Sequence, residues 1–318
     1  MTTAHPAVPA DKDLDPTAAD AVLARQAGGI TERRNTGKAP GTEGSAAIRT
    51  LRYVLLIVFA IFVLIPMYVL IVTSFKPSGG VSPAEAWALP SRISFDGWST
   101  AIERLMPSLV RSLILAVCAA VLSSILGSMN GFVFSRWRFP GATTVFTLFL
   151  FGMFIPYQAV MIPLTGMMLD VEQSLPWFQG IWKLIAVHTI FGIPICTLIF
   201  RNYYATAVPN DILEAAKIDG AGMMRIYRSI ILPISVPAFV VTLIWQFTSA
   251  WNDFLFALFL TNRNNGPVTF MLNEIAGGQN PDYPQIMAGV LVASLPTLLV
   301  YILLGRYFIG GLMSGSVK

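Results

Sequence analysis

Apolar positions in this chain gather into six long runs, at about Leu51–Thr73, Leu109–Phe134, Thr143–Leu164, Ile181–Phe200, Val236–Leu260 and Ile286–Leu304. Each approaches or exceeds the ~20 residues that carry an α-helix across the hydrocarbon core of a bilayer. A helix of that kind bonds its own backbone amides, which is the condition for crossing lipid. The pattern therefore predicts an all-α, polytopic membrane protein with six transmembrane helices. Pro66, Pro156, Pro163, Pro194 and Pro296 fall inside the runs and are expected to kink them. Residues 1–48 have no hydrophobic periodicity and are rich in Ala, Thr, Gly, Asp and Pro. They are expected to form a disordered cytoplasmic tail, with residues 49–318 as the six-helix domain. The first apolar run begins only near Leu51 and is long enough to span, so it does not read as a secretory signal.

Composition strengthens this picture. Hydrophobic residues make up 55% of the chain and charged residues 12%, about half the charge of an ordinary soluble domain. The net charge of +4 is modest and dispersed, which argues against nucleic-acid binding. Cys118 and Cys196 both lie within apolar runs, where packing is expected rather than a disulfide framework or a metal cluster. Lys and Arg set the orientation, because short cytoplasmic loops carry the excess. With the N-terminus inside, the inner segments hold Arg49, Arg52, Arg136, Arg138, Arg201, Lys217, Arg225, Arg228, Arg306 and Lys318. The outer segments hold Lys76, Arg92, Arg104, Arg111, Lys183 and Arg263. Both termini are thus expected in the cytoplasm. Segments 74–108 (with Trp87 and Trp98), 165–180 and 262–285 would lie outside, either as a docking surface for a partner or as plain capping loops.

The segment between the fourth and fifth runs, about 202–235, carries its own punctuation. Asp211 is placed to cap a short helix, and Glu214 to complete a capping box three residues on. Ala215 and Ala216 give the helix a small face, and Gly220 can end it in the left-handed conformation. A second helix over Met223–Ile231, with Arg225 and Arg228, is expected to stop at Pro233. A short helix with a small face suits insertion into a groove on another protein. The competing reading is a loop lying on lipid, but Ala-Ala beside Glu and Asp binds a membrane surface poorly.

The spacing Glu214-Ala215-Ala216, three residues, Gly220, nine residues, Ile230, one residue, Leu232-Pro233 resembles the EAA signature of ABC importer permeases. Trp251-Asn252-Asp253-Phe254 resembles a segment of the carbohydrate branch, similar to the maltose-type six-span permease. So does the tail Gly311–Lys318, with Met313 and Ser314 in place of the usual Thr-Ala. Asn130-Gly131-Phe132, Trp137-Arg138-Phe139 and Phe200-Arg201-Asn202-Tyr203-Tyr204 are similar to glucose and mannose permeases. The likeness covers roughly residues 50–318. It implies the type I importer permease fold, residence in a bacterial inner membrane, and an ATPase contact at Glu214, Ala215, Ala216, Asp219, Gly220 and Ala221. The partners it implies are a second permease subunit, a dimeric cytoplasmic ATPase that holds ATP-Mg, and an extracytoplasmic sugar-binding protein. The chain itself is expected to bind no cofactor.

Asp253 is a carboxylate inside an apolar run, a costly position that marks a functional candidate. Trp245, Gln246, Trp251, Asn252 and Asp253 form a polar and aromatic stretch that could line a sugar pathway, or could instead bond helices together. Gly127 and Gly131 have the G-x-x-x-G spacing of close helix packing. His188, a lone imidazole, reads as a packing residue. The only Gly-Lys pair, Gly37-Lys38, is followed by Ala39, so the chain has no phosphate loop and is not expected to hydrolyse ATP or to be an enzyme. A secondary transporter or channel remains an alternative, although paired intramembrane carboxylates and repeated halves are not evident. A permease for a non-sugar solute also remains open.

Overall fold

The computed structural model describes residues 46–313 except Gly80 and Arg138. The expected disordered tail lies outside the described residues apart from 46–48, which begin the first helix. The end of the tail motif, 314–318, also lies outside them. Eleven helices are followed here: α1 Ala46–Ser74, α2 Asp96–Arg136, α3 Ala142–Phe151, α4 Tyr157–Ser174, α5 Ile181–Ala207, α6 Asn210–Ile218, α7 Met223–Ile234, α8 Val236–Asn252, α9 Leu255–Leu260, α10 Val268–Ala276 and α11 Tyr283–Met313. The chain divides into two units, 1–64 and 65–318. In the first unit, residues 48–64 are helical and exposed throughout.

Four helices are long and apolar enough to cross a membrane unbroken, and the number reaches six if each of two bent pairs forms one span. The six apolar runs are all helical, but two of them are not single rods. The third breaks at Ile155-Pro156, where Ala142–Phe154 and Tyr157–Ser174 meet at 93°. A proline ring disfavours helical geometry in the residue before it, and Ile155 is extended at φ −71°, ψ 119°. The fifth run is interrupted at Asp253-Phe254, between α8 and α9. Of the five prolines expected to kink the runs, Pro66, Pro163, Pro194 and Pro296 remain inside continuous helices. The predicted outer segments are also more ordered than expected. α4 continues into 165–180, α10 lies within 262–285, and α2 begins thirteen residues before Leu109, at Asp96.

The second unit is built around the pairing of α2 with α5. Ala116, Ala119, Ala120, Ser123, Ser124, Gly127 and Ser128 form a buried small-residue stripe on α2. Small side chains let backbones approach, and van der Waals contact is the main attraction available between helices in lipid. A Cβ at Gly127 would stand 2.4 Å from Cys196 Cβ, and one at Gly131 would stand 2.7 Å from Phe200 Cβ. The two glycines set this approach, as their spacing predicts. α8 packs on both helices of the pair and α11 on α2 and α8, with Phe247, Trp251, Ala250 and Ala293 among the buried residues.

Candidate functional site

The segment between α5 and α8 is a rigid elbow. Val208 is extended and Pro209 holds φ −64°, so the chain enters α6 at Asn210. The capping box expected at Asp211 and Glu214 does not form. Asp211 lies inside the first turn, and no side chain caps the helix. Proline supplies the entry geometry instead. Asp211 can still interact with the positive end of the helix dipole. At the other end Gly220 takes φ +75°, with Gly220 N–H donating to Lys217 O at 3.0 Å and Ala221 N–H to Ala216 O at 2.9 Å. That pair of bonds is a Schellman motif, and glycine permits its left-handed residue. α7 does not stop at Pro233. Tyr227–Ile231 widen to a π-turn in which Leu232 N–H reaches Tyr227 O. The widened turn accommodates the proline, and the helix bends by 77° only at Ser235 into α8.

One face of α6 is anchored. Leu213 and Ala216 are buried with Phe132, Phe200, Tyr204, Ile226 and Tyr227. Arg136, at the end of α2, donates to the carbonyls of Tyr204 and Val208 and to the side chain of Asn210. It thus closes the otherwise unpaired last turn of α5 and holds the first residue of α6. Lys217 Nζ lies 5.6 Å from the centre of the Trp137 ring. Deeper in, four hydroxyls join three elements. Ser128 Oγ meets Tyr204 Oη at 2.7 Å and Tyr227 Oη at 2.9 Å, and Tyr204 Oη meets Ser235 Oγ at 2.9 Å.

The opposite face of α6 is free. Of the residues assigned by resemblance to an ATPase contact, Glu214, Ala215, Asp219 and Gly220 are exposed. Ala216 is on the anchored face and Ala221 is half-buried. Ile218, 86% exposed, and Ile212 join the outward face. The sequence reading missed both, although neither follows the Leu213–Ala216 inward spacing. It also missed the anchoring roles of Arg136, Tyr204, Ser128, Tyr227 and Ser235, which no local pattern links.

A second feature is a cleft of about 560 Å³ between α3, α4, α5 and α8. Trp245, Gln246, Asn252 and Asp253 border it, as does His188. Trp251 does not. It is buried on the other side of α8, stacked on Phe247 at 5.7 Å and donating from Nε1 to Ala293 O at 3.0 Å. That geometry makes it a packing residue, correcting its inclusion in a pathway stretch. Asp253 accepts from Phe256 N–H at 3.4 Å and Ala257 N–H at 3.2 Å, so its carboxylate closes the first turn of α9. Its second oxygen lies 3.4 Å from His188 Nε2. Gln246 packs against Gly192, where a Cβ would stand 2.5 Å away, and donates to His188 O at 2.8 Å.

Comparison with known proteins covers both features. The profile of the family described as binding-protein-dependent transport system inner membrane component matches residues 119–309. The xylose/arabinose import permease protein XacI of Haloferax volcanii is 36% identical over 284 residues, covering 83% of this chain and 92% of its own. The glucose import system permease protein GlcU of Saccharolobus solfataricus is 30% identical over 273 residues, covering 83% of this chain and 93% of its own. A chain from the crystal structure of a bacterial ABC transporter involved in the import of the acidic polysaccharide alginate aligns with a TM-score of 0.68 at 21% identity. The alignment covers 83% of this chain and 99% of that one. At that identity the likeness is one of fold.

Proposed function

The chain belongs to the inner membrane components of binding-protein-dependent transport systems, and from that premise we propose that it is one permease subunit of an ATP-driven sugar importer. The observation that carries the reading is the elbow formed by α6 and α7, anchored on one face and exposed on the other. In this reading α6 enters a cleft on a cytoplasmic ATPase, with Glu214, Ala215, Ile218, Asp219 and Gly220 turned toward it. ATP-Mg is held by that dimeric ATPase and not by this chain. Closure of the ATPase dimer moves α6, and the anchored face transmits the movement to α2, α5 and α8. Hydrolysis resets the pathway. ATP can drive this cycle only by binding one state more tightly than the other.

A second permease subunit completes the pathway, and an extracytoplasmic binding protein delivers the sugar to the outer segments. The membrane is the bacterial inner membrane, with both termini in the cytoplasm. Sugar as the cargo class is supported by XacI and GlcU, whose names specify xylose, arabinose and glucose. The direct test replaces Glu214 and Gly220 together in cells making the whole importer and follows ATP-dependent sugar uptake. Uptake is expected to fall at least about tenfold with the assembled complex still present. Unchanged uptake would sink the coupling role of α6.

A further inference from the structure

We propose that the cleft between α3, α4, α5 and α8 is a water-filled passage in which this subunit itself touches the sugar, with Trp245 as a stacking face and His188, Gln246 and Asn252 as polar contacts. The proposal rests on the importer reading and adds to it the place of substrate contact.

The first argument is the backbone. In a membrane, irregular backbone persists only where protein buries it or water reaches it. Both interrupted apolar runs border this one cleft: the α3–α4 break is represented by Ile155 and Tyr157, and the α8–α9 break by Asn252 and Asp253. Pro194 also borders it and has no amide to offer the carbonyl of Ile190, which lies on the cleft as well. Ile155 is exposed rather than packed away. Three irregularities from separate stretches of sequence thus converge on one cleft, as they would around water.

The second argument is an unused polar atom. The His188 side chain is 5% exposed, and its Nε2 has no hydrogen-bond partner although it is buried. Asp253 Oδ2 stands 3.4 Å away with lone pairs to spare, but the contact does not have hydrogen-bond geometry. A buried polar atom left unpaired costs free energy, so a native one calls for a partner. A hydroxyl of a bound polyol would supply it. Lipid chains would not, which separates a sugar passage from an acyl-chain groove.

The third argument is size and chemistry. About 560 Å³ falls within the ~300–1,000 Å³ typical of small-molecule sites. Trp245 is 52% exposed and free to present its ring, while Trp251 is locked into the core by its bond to Ala293. Tyr157 and Phe256, with ring centres 5.3 Å apart, form an aromatic wall on the α4 and α9 side. The lining also carries aliphatic side chains, Ser249 and the Asp253 carboxylate; an uncharged pentose or hexose matches its aromatic faces and its hydrogen-bonding groups.

The experiment uses the complete importer in cells and compares uptake of radiolabelled D-xylose and D-glucose by the parent, Trp245→Ala, Asn252→Ala and His188→Gln. Trp245 and Asn252 are exposed, so their replacement does not endanger folding. Ile162, 81% exposed and outside the cleft lining, gives the control Ile162→Ala. Trp245→Ala and Asn252→Ala are expected to lower uptake at least about tenfold, while binding-protein-stimulated ATP hydrolysis stays within about twofold of the parent. His188→Gln, which replaces the imidazole N–H by an amide N–H donor, is expected to fall less. Uptake within twofold of the parent in both Trp245→Ala and Asn252→Ala overturns the passage. Parallel loss of ATP hydrolysis also overturns it, assigning the effect to coupling. A parent importer that carries neither these sugars nor any other overturns the sugar reading itself.

Discussion

At the scale of single residues, the buried hydroxyl network offers an asymmetric test. Ser128 holds both Tyr204 and Tyr227, whereas Tyr204 has Ser235 as a second partner. Removing a shared partner leaves a buried hydroxyl unsatisfied, which costs about 1–3 kcal/mol. Removing the dependent hydroxyl costs only the net worth of its bond, about 0.5–1.5 kcal/mol. Ser128→Ala is therefore expected to lower the midpoint of thermal unfolding in detergent more than Tyr227→Phe does. The reverse order would mean that Tyr227 finds another partner. Gly220 was legible in the sequence as a helix stop because its position demanded a left-handed residue. The Asp211 cap was not, because Pro209 pre-empted it by fixing the entry two residues earlier. Trp251 was misread for a related reason. Adjacent residues on a helix point in different directions, and no string of letters identifies which partner waits on each side.

At the scale of elements, the apolar runs marked where helices form but not where they break. Pro156 breaks a run while Pro66, Pro163, Pro194 and Pro296 do not, since the outcome depends on what can donate to the freed carbonyls. The α2–α5 pair was the more legible element, because its glycine spacing is itself the packing code. Gly131→Val should push side-chain atoms into the backbone of Arg201, 2.8 Å from the Cβ position. Gly166→Ala meets nothing within 4 Å. The expected result is a sharp loss of monodisperse Gly131→Val protein on size-exclusion chromatography, with Gly166→Ala unchanged. Equal recovery of the two would show that the helices can separate without consequence.

For the whole molecule, the excess of basic residues predicts which side each loop faces. Several basic residues assigned to the exterior are occupied locally. Lys76 donates to Glu85 O at 2.6 Å, Arg111 to Gly266 O at 2.9 Å, and Lys183 pairs with Glu172 at 2.6 Å. Their placement outside is then compatible with an inward charge bias, since each meets a structural need. Ile218→Cys is expected to react with a membrane-impermeant maleimide only in inside-out vesicles. Leu89→Cys, 73% exposed in the parent residue, should react only in intact cells after outer-membrane permeabilisation. Opposite labelling would invert the assigned topology. The class of machine was readable because α6 carries a discontinuous spacing, whereas of the cleft only the 245–253 wall was, because its other two walls come from distant stretches that meet it only after folding.

The bend between α7 and α8 has a mechanical consequence. The two axes turn by 77°, so a push along α7 projects only about a fifth of its length (cos 77°) onto the axis of α8. The remainder acts crosswise. Under the proposed coupling the joint would work as a bell-crank, turning a thrust on α7 into a sideways swing of the helix that bears Trp245 and Gln246. A piston would shift those side chains in depth at constant bore. A crank changes the bore itself, which is what a gate has to do.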